Sequence, residues 1–267
     1  MRRKIVDIYF FTGTGNTLLA AKTIAETLKN NNCIVNVNDI AKTDPKKVNL
    51  SNTIGIGFPI ACWNTFPIAR SFINDLPNTI GTEVFTFATM GNSSLNAAAN
   101  FGHILKNKGY SLIGSCGFLM PNNFIAVQKE EKNVTKREKA YKQIEHFVSE
   151  LVTGAPNPGK TNLFFQTCFA ISGFIINRWK GNIFQRIAKF NITKGRCTKC
   201  GLCAKICPVK NILSEDNYPV FSGKRCQLCM RCISYCSSHS IKFFLIRKTY
   251  RALTDEEMKR WFLCVKK

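Results

Sequence analysis

Eight cysteines carry the strongest chemical signal in this sequence of 267 residues. Cys197, Cys200, Cys203 and Cys207 follow the spacing Cys-x2-Cys-x2-Cys-x3-Cys, with Pro208 next. The run recurs 29 residues later as Cys226, Cys229, Cys232 and Cys236. Three thiolates this close on one chain suit three corners of a [4Fe–4S] cube, and in paired runs the fourth cysteine of each ligates the other cube. The expected ligand sets are Cys197, Cys200, Cys203 and Cys236 for one cluster, and Cys226, Cys229, Cys232 and Cys207 for the second. Structural zinc is the competing reading, but zinc modules space two Cys pairs by a longer loop. The repeat extends beyond cysteine, since Ile212 and Ile241 occupy equivalent places. Ser237 stands where the first run has Pro208, which leaves the backbone beside Cys236 less rigid.

A second candidate site is the stretch TGTGNT, Thr12 to Thr17. Gly13 and Gly15 let the backbone curl tightly, so that successive N–H groups converge on an anion at the start of the following helix. Thr12, Thr14, Thr17 and Asn16 add neutral donors, and no Lys or Arg lies in the loop. That chemistry suits a phosphomonoester. A P-loop would need Gly-Lys-Ser/Thr, and Leu18 breaks the dinucleotide fingerprint G-x-G-x-x-G.

The elements that must position these sites follow from apolar patterning. Short β-branched and aromatic runs at 4–11, 34–37, 53–58, 84–89 and 112–119 read as strands. Helical spacing covers 18–28, 68–75, 95–106 and 133–151, the last with a stripe of Val134, Tyr141, Ile144, Val148 and Leu151. Strands alternating with helices predict an α/β fold: a doubly wound, five-stranded parallel sheet whose ligands bind beyond the strand carboxyl ends.

With TGTGNT at the end of its first strand, the region 4–152 resembles the flavodoxin family, whose first βα loop carries Thr/Ser-x-Thr-Gly-x-Thr and binds the FMN phosphate. The resemblance implies strand order 2-1-3-4-5 and a phosphate held by Thr12, Gly13, Thr14, Gly15, Asn16 and Thr17. It also implies that the loops FPIACWNTFP and ATMGNSS flank the flavin ring, so that Pro59, Trp63, Asn64, Thr65, Thr89, Met90 and Gly91 bind the cofactor. Trp63 is the candidate for stacking on the ring, and the segment MPNN at 120–123 is expected to close over the site. The C-terminal spacing is that of bacterial two-[4Fe–4S] ferredoxins. The whole chain therefore resembles a flavodoxin–ferredoxin fusion, a type common in anaerobes. Residues 1–155 form the FMN-binding domain, 156–195 an aromatic and basic connecting segment expected to be helical, and 196–267 a small α+β two-cluster domain with a C-terminal extension.

Composition narrows the function. Hydrophobic content of 45% and a mean hydropathy of −0.07 exclude a disordered polyelectrolyte. The longest apolar stretch, 163–176, contains Gln166 and Ser172 and is too short to cross a bilayer. Asp7 and the immediate Gly-rich loop argue against reading the basic N-terminus as a signal peptide. A cytoplasmic location is expected, where thiols stay reduced. The other cysteines, Cys33, Cys62, Cys116, Cys168 and Cys264, then read as small hydrophobes, with a redox role weighed only for Cys62 in the presumed flavin loop.

The formal net charge is +22, of which +16 falls in residues 156–267. Two clusters and a phosphate, each carrying about −2, would leave the loaded protein near +16. Such a field favours an acidic redox partner. No nucleic-acid motif accompanies it. The connecting segment carries Phe164, Phe165, Phe169, Phe174, Trp179, Phe184 and Phe190 among Arg178, Lys180, Arg186 and Lys189. It is expected to pack between the domains or across a homodimer, with a peripheral bilayer contact as the lesser alternative. His103, His146 and His239 are dispersed, and no acid–base constellation is evident. The expected activity is electron transfer between an external partner, two [4Fe–4S] clusters and FMN. The alternative is an FMN-dependent reductase of a quinone or nitroaromatic, fed by the clusters.

Overall fold

The computed structural model describes residues 3–61, 64–92, 96–123, 127–155, 163–178, 190–222, 226–243 and 250–259. Five strands, β1 (Ile5–Phe10), β2 (Ile34–Asp39), β3 (Thr53–Pro59), β4 (Glu83–Met90) and β5 (Ser111–Leu119), form one parallel sheet in the order β2-β1-β3-β4-β5. This is the flavodoxin-like order, and its switch point lies between β1 and β3. Strands β1, β3 and β4 are buried almost continuously, as expected where helices cover both faces, whereas the edge strand β2 leaves Ile34 and Val37 exposed.

On one face lie α1 (Asn16–Asn30) and α4 (Glu130–Thr153), and on the other α2 (Pro67–Asp75) and α3 (Ala97–Asn107). Aromatic pairs fix both layers. Phe147 of α4 meets Phe85 and Phe118 edge-on at 6.0 and 5.9 Å, and Phe101 of α3 meets Phe58 at 4.7 Å. The inward stripe of α4 differs from the expected one. Val134 and Leu151 are half-buried, while Asn133, Arg137, Ala140 and Phe147 join Tyr141, Ile144 and Val148 inside. The guanidinium of Arg137, buried beside Glu130, conceals the helical period from a purely apolar reading.

The connecting segment contributes α5 (Leu163–Arg178), which packs on the first domain. Phe169 is buried against Phe101 at 4.9 Å, with Arg70 over its ring at 5.7 Å. No helix among the described residues is long and apolar enough to cross a membrane.

The C-terminal part repeats itself at an offset of 29 residues. Strand β6 (Phe190–Ile192) pairs with β9 (Ile241–Phe243), and β7 (Ile212–Glu215) with β8 (Tyr218–Phe221), both antiparallel. The bonds Thr193 N–H to Ser240 C=O and Ser222 N–H to Asn211 C=O are counterparts at the same offset. So are the left-handed residues Lys199 and Leu228, Gly201 and Met230, and Lys210 and His239. Each unit thus lends its first strand to the last strand of the other. Two one-turn helices, α6 (Leu202–Lys205) and α7 (Arg231–Ser234), complete the units. The β6–β9 pairing begins at Phe190, inside the stretch read as a connecting segment.

Candidate cofactor sites

The TGTGNT loop leaves β1 at the carboxyl edge of the sheet and turns into α1 through Gly15 at φ +97°, a left-handed value that a side chain would strain. Gly15 N–H donates to Thr12 Oγ1 at 3.0 Å. The start of α1 has neither a side-chain cap nor an acidic residue in its first turn. Its positive dipole end and first N–H groups therefore suit an anion. Thr12, Thr14, Asn16 and Thr17 are all buried.

The ends of the other strands converge on this loop. Thr89 Oγ1 lies 2.7 Å from Thr17 Oγ1, and Pro59 sits beside Thr89 in the β3–β4 register. Met90 pairs with Leu119, and its carbonyl accepts from Met120 N–H at 2.8 Å. Gly91 is exposed, its carbonyl accepting from Lys136 at 3.3 Å. The segment after β5 reaches the TGTGNT loop. Asn16 donates to the Pro121 carbonyl at 2.9 Å, and Asn123 donates to Thr14 Oγ1.

Asn64 and Thr65 are wholly buried. Asn64 Nδ2 donates to the Phe169 carbonyl at 3.1 Å and to Ser172 Oγ at 3.2 Å, while its Oδ1 accepts from Thr65 N–H and Arg70. Thr65 Oγ1 donates to the Pro59 carbonyl at 3.0 Å. Asn64 fastens α5 to the loop after β3, and Thr65 ties that loop back to the end of β3. Trp63 and Cys62 lie outside the described residues, as do Ser93, Ser94 and Cys264.

The eight cysteines of the repeat divide between two cavities. Cys197, Cys200, Cys203 and Cys236 line the first, into which Cys232 also reaches, and Cys207, Cys226, Cys229 and Cys232 line the second. The crossing of Cys207 and Cys236 follows from the exchanged strands, since each lies just before the strand that pairs into the opposite unit. Among the described residues, no three His, Cys, Asp or Glu side chains converge as a single metal ion would require. A cube spreads four thiolates over four irons, so its ligands need not share one point.

Burial and neighbouring thiols tune these groups. Enclosure pushes the Cys229 thiol up to about 11 despite the cation of Arg231 beside it, and pushes Cys232 well above its ordinary value. Thiolates there need added positive charge, which iron would supply. Burial also opposes ionisation of Cys236, but hydrogen bonding to Ser238 and Ser240 outweighs it and holds the thiol below its ordinary value. Ser240 Oγ lies 3.3 Å from Cys236 Sγ. With a cluster held by Cys197, Cys200, Cys203 and Cys236, Ser240→Ala should lower its potential by tens of millivolts, because a donor to sulfur favours the more negative reduced state. An unchanged potential in an anaerobic redox titration would contradict this.

Outside the repeat, Cys116 and Cys33 pack beside the apolar core, and burial pushes Cys116 up to about 11. That behaviour fits small hydrophobes.

The two sites adjoin. A Cβ placed on Gly13 would lie 2.1 Å from the Cys229 carbonyl oxygen, so only glycine permits this approach of the two backbones. Arg231 donates through Nε and Nη2 to the Thr12 carbonyl at 2.9 and 2.7 Å, and through Nη1 to Asp39 at 3.2 Å. Gln227 Oε1 accepts from Ile68 N–H at 3.2 Å. On the other side of the loop, Tyr250 donates to Asn16 Oδ1 at 2.7 Å, and Lys22 pairs with Asp255 at 2.6 Å. Sequence reasoning named neither Arg231 nor Tyr250. The two runs differ at every position between their cysteines, so Leu202 opposite Arg231 does not single it out, and Tyr250 has no local signal.

Residues 190–213 match the family model described as 4Fe-4S binding domain. No curated protein matches the chain. Among solved structures, the chain is similar to the flavodoxin of Streptococcus pneumonia TIGR4, at 18% identity and TM-score 0.43 over 56% of this chain and 98% of that one. It is similar to the two-electron reduced flavodoxin of Megasphaera elsdenii, at 21% identity and TM-score 0.42 over 54% and 98%. A mutant flavodoxin of Fusobacterium nucleatum bound to flavin mononucleotide matches at 14% identity and TM-score 0.43 over 57% and 96%. The flavodoxin-like fold of the first domain rests on its strand order. The chain thus joins a flavodoxin-like domain to a ferredoxin-type 4Fe–4S domain.

Proposed function

We propose that this protein passes electrons between FMN and two [4Fe–4S] clusters held by the same chain. The observation that carries the proposal is the direct contact of the second cysteine set with the phosphate loop, Cys229 carbonyl on Gly13. Iron–sulfur clusters exchange single electrons, whereas a flavin handles one or two and connects the two regimes. FMN is favoured over a dinucleotide because the loop offers neutral donors and a helix start suited to one phosphate, and lacks the dinucleotide glycine. In this reading Thr12 to Thr17 hold the phosphate, Thr89, Met90 and Gly91 border the ring, and Asn64 and Thr65 shape the loop after β3.

Replacing Thr14 and Thr17 with Ala should weaken FMN binding at least about a hundredfold, since each hydrogen bond to a charged group contributes about 1.5–3 kcal/mol. Iron content should stay unchanged. Release of FAD on acid treatment, or full flavin retention in the double variant, would refute the assignment.

The first cysteine set faces outward. Cys200 is exposed, and Lys194, Arg196, Lys199 and Lys205 surround this run with their charge in solvent. Lys194 and Lys199 both lie over the Tyr218 ring, at 5.3 and 4.6 Å. We place the docking of an acidic redox partner here. Association should slow steeply between low and physiological salt, because exposed charges are screened. A rate independent of ionic strength would contradict this docking mode.

A further inference from the structure

The second cysteine run buries a charged side chain where the first run exposes an apolar one. Arg231 is buried, whereas Leu202, its counterpart in the first run, is exposed. The cysteine spacing and the left-handed turns are the same in both runs, so cluster binding itself does not need the arginine. Its guanidinium is directed away from its own unit. Two N–H groups meet the Thr12 carbonyl, a third meets Asp39, the plane lies 5.2 Å from the Phe11 ring, and the Ile206 carbonyl is a longer fourth contact at 3.5 Å. Asp39 is itself fixed, accepting from Ala41 N–H at 2.9 Å.

In a trans peptide the carbonyl and the following N–H point in opposite directions. Holding the Thr12 carbonyl therefore directs Gly13 N–H away from the cluster domain, and the adjacent positive charge polarises that peptide into a stronger donor. A buried Arg pays for its desolvation only through such a complete set of partners.

We infer that Arg231 is a coupling residue, through which filling of the second cysteine set and anion binding at the phosphate loop strengthen each other. The inference rests on the reading of TGTGNT as an anion loop. Filling the set fixes the turn 226–232 and hence Arg231. Arg231 then fixes the Thr12–Gly13 peptide, so the entropy of ordering the loop is already lost before the anion arrives. By linkage the effect is reciprocal.

The test is hydrogen exchange of loop amides 11–19 in flavin-free full-length protein, with clusters loaded anaerobically or stripped. Loading should slow exchange at least about tenfold in the native sequence. Arg231→Leu, which installs the residue of the first run, should abolish the difference, and Arg231→Lys, which keeps the charge without the fork, should leave an intermediate one. Iron content and circular dichroism verify that each variant is loaded and folded. In parallel, FMN titration should give at least about fivefold tighter binding to loaded than to stripped protein, and equal binding in Arg231→Leu. Equal exchange and equal FMN affinity in the loaded and stripped native protein would overturn the coupling and leave the flavin assignment standing. An exchange effect without FMN binding in any form would remove the flavin assignment and leave the clamp.

Discussion

Cys207→Ser should strip iron from the same cluster as Cys226→Ser, and Cys236→Ser from the same cluster as Cys197→Ser. Reconstituted without oxygen, the unaltered protein should hold about eight irons and eight acid-labile sulfides, and each of these variants about half. The pairing follows from geometry rather than from sequence neighbourhood. Cys207 leads into β7, and β7 pairs with β8 of the second unit; Cys236 leads into β9, and β9 pairs with β6 of the first. Each fourth cysteine is thereby carried to the cavity of the other run. Spectra of the residual cluster decide the matter. Were Cys207→Ser and Cys197→Ser to leave the same survivor, the crossing would be wrong.

Gly13→Ala should have the next largest effect, although it changes no cysteine. The added methyl would meet the Cys229 carbonyl at 2.1 Å, and the neighbouring Thr12 carbonyl is held by two bonds from Arg231. Overpacking of this kind costs about 1–3 kcal/mol, taken here from the contact between the domains rather than from either core. Cluster-to-flavin transfer should slow at least about tenfold while iron content is retained. Gly195→Ala is the matched control, since nothing lies within 4 Å of the Cβ it would add. Equal transfer rates in the two variants would show that the contact does not matter.

Much of this arrangement was legible in the sequence because it is local. Continuous apolar runs with β-branched and aromatic residues mark strands buried on both faces, and β1, β3 and β4 are such strands. The TGTGNT loop and the cysteine runs are legible for the same reason, since each is a fixed set of residue types at short spacings. What escaped is set by pairs far apart in the chain. Arg137 fills an inward position of α4 with a charged side chain, so an apolar stripe drawn through Val134 passes beside the true face. The resemblance named Asn64 as a flavin contact, and its bond to the backbone of α5, 105 residues away, has no local signal. Tyr250 reaches Asn16 across 234 residues, with no periodicity or motif to announce it. The departure at Ser237 was visible, but not its context: the hydroxyls of Ser238 and Ser240 beside the Cys236 sulfur.

Electrons should pass between the clusters and the flavin within one chain. Flash reduction of anaerobically prepared protein, with cluster and flavin absorbance followed separately, measures that passage. Cluster reoxidation and flavin reduction should proceed together, with a first-order rate independent of protein concentration. A rate proportional to protein concentration, or reduced clusters that persist beside oxidised flavin, would contradict it.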